Sequence, residues 1–182
     1  MTAAERQRAI IWLEESRERL LRTTRGLSRE QLQHKPAPDR WSIAEILEHV
    51  AFVEGRILAG IDRALQRPST VPHGMDDDTM VEKAVDRTAR LRGPDVVAPS
   101  GRWPHDKLLS EFESVRKRSI EFAKTTTREL REHSYSHPFF GELDCYQWLL
   151  LIPAHGERHR MQAEEVIADA GFPRSPGTQG VR

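Results

Sequence analysis

The chain has 182 residues, 37% of them hydrophobic and 31% charged, and its formal net charge at pH 7 is zero. This length supports one domain with a sizeable core, and the charge balance indicates neither a nucleic-acid nor an acidic-membrane partner, since both favour a basic surface. The lone cysteine, Cys145, excludes an intramolecular disulfide and fits a cytoplasmic protein. The N-terminus has no signal-peptide pattern, and the longest apolar run, Trp148–Ile152, is too short to span a bilayer.

Apolar residues recur at helical spacing in the first part of the chain and predict two long helices. The first helix is predicted from about Ala3 to Thr24 and is followed by a short helical turn that opens with a capping box at Ser28. The second opens with a capping box at Ser42 and continues to about Gln66, and Trp41, just before this cap, is predicted to pack over the helix start as a hydrophobic staple. His49 lies at the edge of the apolar stripe of this second helix.

The rest of the chain predicts two more long helices, at about 105–125 and 143–170. The basic cluster Arg116–Arg118 in the first of them is predicted to form a solvated face. Residues 69–102 form a long connection with a short helix after Asp76–Asp78, whose pattern continues to Thr88 and Leu91, and residues 133–141 are predicted to be a loop. With no convincing strand, the pattern favours an all-α four-helix bundle whose long connection crosses the bundle.

The bundle is predicted to occupy residues 1–172 as one domain. Gly171 and Pro173 end the last helix, so residues 173–182 are predicted to be a flexible tail.

The last predicted helix carries two histidines four residues apart, His155 and His159, which therefore lie on one helix face. They interrupt an apolar stripe, and a buried ring must be hydrogen-bonded or bound to an ion. A metal ion would satisfy both rings at once, whereas two core histidines bonded to nearby carbonyls or carboxylates would need no ligand. Gln162, one turn further on, has two interpretations as well: it orients His159 or a water molecule, or it is an ordinary core amide.

Two motifs together resemble the DinB-like (DinB/YfiT) metalloprotein superfamily: Trp41-Ser-Ile-Ala-Glu-Ile-Leu-Glu-His49 on the second helix and His155-x-x-x-His159-x-x-Gln162 on the last. The loops at 99–103 and 137–141 are also similar to that family. The resemblance extends from about residue 8 to residue 170 and depends on the order and spacing of these pieces.

The resemblance implies an up-down-down-up four-helix bundle with a divalent metal, zinc or nickel, held by His49, His155 and His159. It also implies transfer of a low-molecular-weight thiol, such as bacillithiol, mycothiol or glutathione, to an electrophilic substrate in stress or detoxification. Three neutral imidazoles leave the full charge on the metal, which deprotonates a thiol that binds it.

Two other functions fit the same ligands. The site would also activate water in a metal-dependent hydrolase, and the bundle could be a non-catalytic metal-binding stress or interaction module. A zinc-protease mechanism is disfavoured, because that motif has glutamate directly after its first histidine and this chain has Gly156. The sequence identifies no catalytic residue beyond the ligands. Arg158 flanks the histidine face and could meet an anionic substrate, although exposure at the surface is expected.

The family resemblance also implies a homodimer. Three apolar residues outside the predicted stripes would fit such an interface: Ile11 and Trp12 on the first helix, and Ile120 on the third.

Overall fold

The computed structural model describes residues 1–70, 74–88 and 93–174. Within these ranges the chain forms six α-helices, two short β-strands and three short 3-10 turns. The regular elements are α1 (Ala3–Thr24), α2 (Arg29–Gln33), α3 (Ile43–Ala64), α4 (Asp77–Val85), α5 (Leu108–Thr125), β1 (Ser134–His137), β2 (Gly141–Asp144) and α6 (Cys145–Ile167).

Four of the helices begin with a reciprocal capping box, in which a side chain at the N-cap and one three residues later satisfy each other's backbone N–H groups. The two boxes predicted at Ser28 and Ser42 are present, and α1 and α6 begin in the same way at Thr2 and Asp144. Each such cap contributes about 1 kcal/mol. The starts of the helices, and so the axial positions of their side chains, are therefore set by local sequence.

The four long helices, α1, α3, α5 and α6, form a closed ring in which α1 and α3 each contact both α5 and α6. Arg6, near the start of α1, donates to the carbonyl of Ala123 at the end of α5, so these two helices are antiparallel. Tyr146, at the start of α6, donates to the carbonyl of Glu5, so α1 and α6 are parallel.

The direction of α3 completes the topology. His49, near the start of α3, lies beside His155 in the second half of α6. Further along α3, the carbonyl of Ile57 accepts from Tyr135, whose ring stacks on Trp148 at the start of α6. The helix α3 is therefore antiparallel to α6, and the order is up, down, down, up. The predicted all-α bundle with a long crossover connection is confirmed.

A buried ion pair lies at the centre of the bundle. Arg116 of α5 is fully buried and makes two hydrogen bonds to Glu54 of α3, of 2.8 and 3.0 Å. It also donates to Ser16 and to the carbonyl of Leu13 on α1. The sequence-based expectation that this arginine belongs to a solvated basic face is wrong, because the pair joins α1, α3 and α5.

The fourth helix adapts to the same guanidinium. A Cβ atom at Gly156 of α6 would lie 3.2 Å from Nη2 of Arg116. Such a distance is tighter than an ordinary van der Waals contact, and the ion pair holds the guanidinium in place. Breaking a buried ion pair from one side costs about 3–5 kcal/mol. A glycine at this position of α6 is therefore explained by the packing of the bundle.

The region predicted to be a loop before α6 contains a β-hairpin instead. Strands β1 and β2 pair antiparallel, with Ser134 opposite Asp144 and His137 opposite Gly141, whose φ of 72° closes the turn. Each strand has four residues, too few for an alternating pattern to be recognisable. The hairpin is held by tertiary contacts, above all by the stacking of Tyr135 on the α6 side chain beneath it.

Other boundaries differ from the predictions by a few residues. The helix α6 is shorter at both ends than predicted, and α4 ends at Val85 although the sequence pattern continued to Thr88 and Leu91. Leu91 and residues 175–182 of the predicted tail lie outside the described residues. Among the helices of the described ranges, none is long and apolar enough to cross a membrane.

Candidate metal centre

The three histidines singled out in the sequence converge at the contact between α3 and α6. One ring nitrogen from each of His49, His155 and His159 lies within 4.8 Å of the others. The Nε2 atoms of His49 and His155 are 3.1 Å apart, and the ring centroids of the three pairs are 4.4 to 5.0 Å apart. In the described part of the chain, this cluster consists of histidines alone.

Hydrogen bonds fix the orientation of two of these rings. Nδ1 of His49 is 2.8 Å from the carbonyl oxygen of Val97, which can only accept, so Nδ1 carries the hydrogen. Nδ1 of His159 is likewise 2.8 Å from Oε1 of Gln162. In both neutral rings Nε2 is then left with a lone pair, as in metal-ligating histidines whose other nitrogen donates to a neighbouring acceptor. Gln162 therefore orients His159, one of its two sequence-based interpretations.

The rings are held in the form that binds metals. Burial lowers the pKa of His155 and of His159 well below the ordinary value, and the neighbouring imidazoles lower the pKa of His155 further. The pKa of His49 is also lowered, mainly by burial. All three side chains are therefore neutral at pH 7, and metal ligation requires neutral imidazole.

His155 has two possible tautomers. In one, its Nε2 carries a hydrogen and donates to Nε2 of His49, an ordinary pair of core histidines. In the other, its Nδ1 carries the hydrogen and its Nε2 adds a third lone pair to the space between the rings. The second arrangement gives a donor set that a divalent ion accepts, so the residues present fit a metal site.

Trp41 forms one wall of the cluster. Its ring lies 4.8 Å from His49 and is stacked at 20° on His159, at a centroid distance of 6.0 Å. The sequence interpretation placed Trp41 as an apolar staple over the start of α3. The structure adds a second role, since the indole shields two of the three rings from water.

Glu48, which no sequence motif singled out, holds the loop that orients His49. Its buried carboxylate accepts from the backbone N–H of Ser100 at 2.6 Å, from that of Gly101 at 2.9 Å and from Arg102 at 2.7 Å. Burial alone would raise the pKa of Glu48, but these hydrogen bonds outweigh it and hold the pKa below the ordinary value. The same loop carries Val97, so neighbouring residues of α3 fix both the loop and the ring.

The sequence of this chain is similar to those of known proteins. The sequence profile of the DinB superfamily matches residues 13–163. The chain belongs to the DinB superfamily. It is 28% identical over 147 residues to the uncharacterized protein YuaE of Bacillus subtilis (strain 168), which covers 78% of this chain and 86% of YuaE.

A solved structure of another bundle shares the fold. YfiT from Bacillus subtilis, described as a probable metal-dependent hydrolase with an unusual four-helix bundle topology, superposes with a TM-score of 0.65 at 14% identity, over 95% of this chain and 91% of YfiT. TT2238, described as a four-helix bundle protein, gives a TM-score of 0.49 at 22% identity, over 88% of this chain and 98% of TT2238.

Two acidic residues of this DinB-superfamily chain have roles away from the cluster. Glu45 caps α3, and Glu157 pairs with Arg19 and Arg160. Burial raises the pKa of the Cys145 thiol to about 12, which makes it a poor nucleophile. Arg158, expected at the surface, is buried. The signal that could have identified Glu48 is its position directly before a candidate ligand on the same helix.

Proposed function

We propose that this protein binds a divalent metal ion, zinc or nickel, through His49, His155 and His159. The observation that supports the proposal best is the convergence of three neutral rings, two of which have their Nε2 lone pairs set by hydrogen bonds. Imidazole nitrogen is a preferred ligand of both metals. Three nitrogens bound to one tetrahedral zinc ion lie ~3.4 Å apart, so nitrogens within 4.8 Å of one another need movements of about 1 Å to bind it.

The activity proposed for this site is transfer of a low-molecular-weight thiol, of the bacillithiol, mycothiol or glutathione type, to an electrophile in stress or detoxification. A divalent ion held by uncharged ligands keeps its full charge and lowers the pKa of a thiol that binds it. The chain supplies three neutral rings and the covering indole of Trp41. Nearby carboxylates are already engaged, Glu48 by the loop and Glu157 by arginines, so a reaction that needs no protein base is favoured.

The second candidate is a metal-dependent hydrolase. It is supported by the shared fold with YfiT, which is itself described as a probable metal-dependent hydrolase. A metal ion held by the same three histidines would then activate water. The third candidate is a metal-binding module without turnover, for which neither thiol transfer nor hydrolysis is expected.

The test begins with metal content. Protein purified and loaded with zinc or nickel is analysed for metal beside His155→Ala, with His105→Ala as the matched control because that ring bonds Gln33 away from the cluster. One equivalent of metal is expected in the wild type and in the control, and none in His155→Ala. An unchanged metal content in His155→Ala overturns the proposed site.

The loaded protein is then assayed with a panel of thiols and electrophiles and with a panel of esters and amides. Metal-dependent loss of thiol supports the transferase, and metal-dependent hydrolysis alone supports the second candidate. Tight metal binding with neither activity supports the module.

A further inference from the structure

A groove of about 320 Å³ lies between α3 and α5, and none of the three clustered histidines lines it. Its volume is in the range of sites that hold small molecules. On α3 the groove is lined by three small residues spaced four apart, Ala51, Gly55 and Ala59. Because residues four apart share a helix face, these small side chains leave the space open along two turns of α3.

Three arginines border the groove: Arg56 and Arg63 from α3, and Arg118 from α5. All three are exposed, and within the described part of the chain none of their side chains makes a hydrogen bond or an ion pair. Some arginines on other faces are paired with acids, as Arg25 is with Glu113. Glu111 is the only acidic residue among the described residues that line the groove, so the lining charge is strongly positive.

Aromatic side chains lie among these charges. Phe52 and Trp103 line the groove and are half-buried. The guanidinium of Arg102 lies 3.8 Å from the centre of the Phe52 ring, and that of Arg56 lies 5.8 Å from it. Cation–π contacts of this kind hold a guanidinium beside the ring. The groove therefore offers flat apolar surface next to positive charge.

Gly55 is the residue that packing within the chain does not explain. Glycine inside a helix is destabilising relative to alanine. At Gly60 and Gly156 a neighbouring ring or guanidinium occupies the space of a side chain, whereas a Cβ at Gly55 would meet nothing closer than 3.8 Å. A molecule that enters the groove and approaches α3 closely would account for the glycine.

We propose that this groove binds a small organic anion whose charged group, a carboxylate, sulfonate or phosphate, is attached to a flat apolar body. The arginines, which belong to two facing helices, bind the charged group, since guanidinium forks match such oxygens in pairs. Phe52 and Trp103 contact the apolar body. The site is separate from the metal centre and does not depend on the function proposed there.

The probe for the test is 2-naphthoate, with 2-naphthalenemethanol as its uncharged counterpart. Both are titrated into full-length protein labelled with nitrogen-15, and the amide of Gly55 and the indole of Trp103 report on occupancy. Both signals are expected to shift with naphthoate, and the uncharged probe is expected to bind about tenfold more weakly or worse.

Variants distinguish this site from a general surface effect. The double variant Arg56→Gln with Arg118→Gln is expected to weaken naphthoate binding by about tenfold or more. The control Arg22→Gln, an exposed arginine on α1, and His155→Ala in the metal centre are expected to leave it unchanged.

Three results would overturn the inference. The first is equal affinity for the charged and the uncharged probe. The second is NMR signal shifts only at residues outside the groove, and the third is naphthoate binding that survives loss of the two arginines. A fourth result would also overturn it: a molecular mass in solution near twice the 20.9 kDa of one chain that falls in the Arg118→Gln variant. The groove would then be an interface between two copies.

Discussion

Replacing Gly60 in α3 by alanine should destabilise the protein, although alanine is the better helix former. A Cβ at Gly60 would lie 2.5 Å from the hydroxyl oxygen of Tyr135 and 2.7 Å from the ring carbon that bears it. That ring cannot move away freely, because it stacks on Trp148 at a centroid distance of 4.1 Å and its hydroxyl donates to the carbonyl of Ile57. The substitution therefore forces the ring out of its contact with α6.

The expected size of the effect follows from these contacts. Loss of the hydrogen bond costs about 1 kcal/mol, and loss of the aromatic pair costs about 1 kcal/mol. Strain from an extra methyl group in a packed site adds about 1–3 kcal/mol. The gain in helix propensity offsets about 1 kcal/mol of this. A net loss of about 2–4 kcal/mol in the free energy of unfolding is expected, measured by urea denaturation followed by circular dichroism.

Gly55→Ala is the matched control, since the same change in the same helix meets only ordinary contacts of 3.8 and 3.9 Å. It should stabilise the protein by about 0.5–1 kcal/mol. On a Tyr135→Ala background, Gly60→Ala should cost little or should stabilise, because the obstructing ring is gone. Equal stability of Gly60→Ala and the wild type, or equal losses for the two glycine variants, would refute the reasoning.

Four further predictions concern the metal centre and assembly. His155→Ala should lose metal and keep its helical circular dichroism, because the bundle has its own core; loss of helical signal would show a structural metal. Glu48→Gln should weaken metal affinity by about 10–100-fold in competition with a chelator, since it loosens the loop that orients His49; unchanged affinity would contradict that role. Burial keeps His155 and His159 neutral in the folded state, whereas the same rings take up protons in the unfolded chain. The metal-free protein should therefore lose stability as pH falls below 6.5, and urea midpoints at two pH values measure this loss. The double alanine variant should lose less. Light scattering should give twice 20.9 kDa if the chain is a dimer, and Ile11→Lys should lower that mass; a wild-type mass of one chain contradicts the dimer.

The support for that dimer has changed with the structure. Ile120, one of three apolar residues that the sequence placed outside the helix stripes, is buried in the core and cannot form an interface. Ile11 is 44% exposed and remains available. An apolar stripe predicted for packing against one neighbouring helix leaves out the residues that pack against a second neighbour. Each long helix of this ring has two neighbours.

Local signals explain what the sequence predicted correctly. Capping boxes at Ser28 and Ser42 fixed two helix starts, because the side chains that cap a helix are only three residues apart. The pair His155 and His159 was found because its spacing puts both rings on one helix face. His49 required the family resemblance, since nothing in the periodicity of α3 relates it to a helix a hundred residues later.

Tertiary contacts explain what could not be predicted. The carbonyl of Val97 orients His49 from a connection whose path no local pattern determines. Arg116 looked like a surface residue because it is the first of three consecutive basic residues, whereas its burial depends on Glu54 in another helix. The hairpin was missed for the same reason, since its strands are held by the helix on which they pack.

The contact between Arg116 and Gly156 limits which reactions this scaffold can acquire by mutation. Zinc proteases have their glutamate base directly after the first histidine of the motif, which is the position of Gly156. Any side chain introduced there meets the guanidinium, and a glutamate would be neutralised by it instead of serving as a base. A residue in the middle of the bundle thus closes one mutational route to a new mechanism. The connecting segments stay open to new catalytic groups, because a change of side chain there leaves the buried ion pair intact.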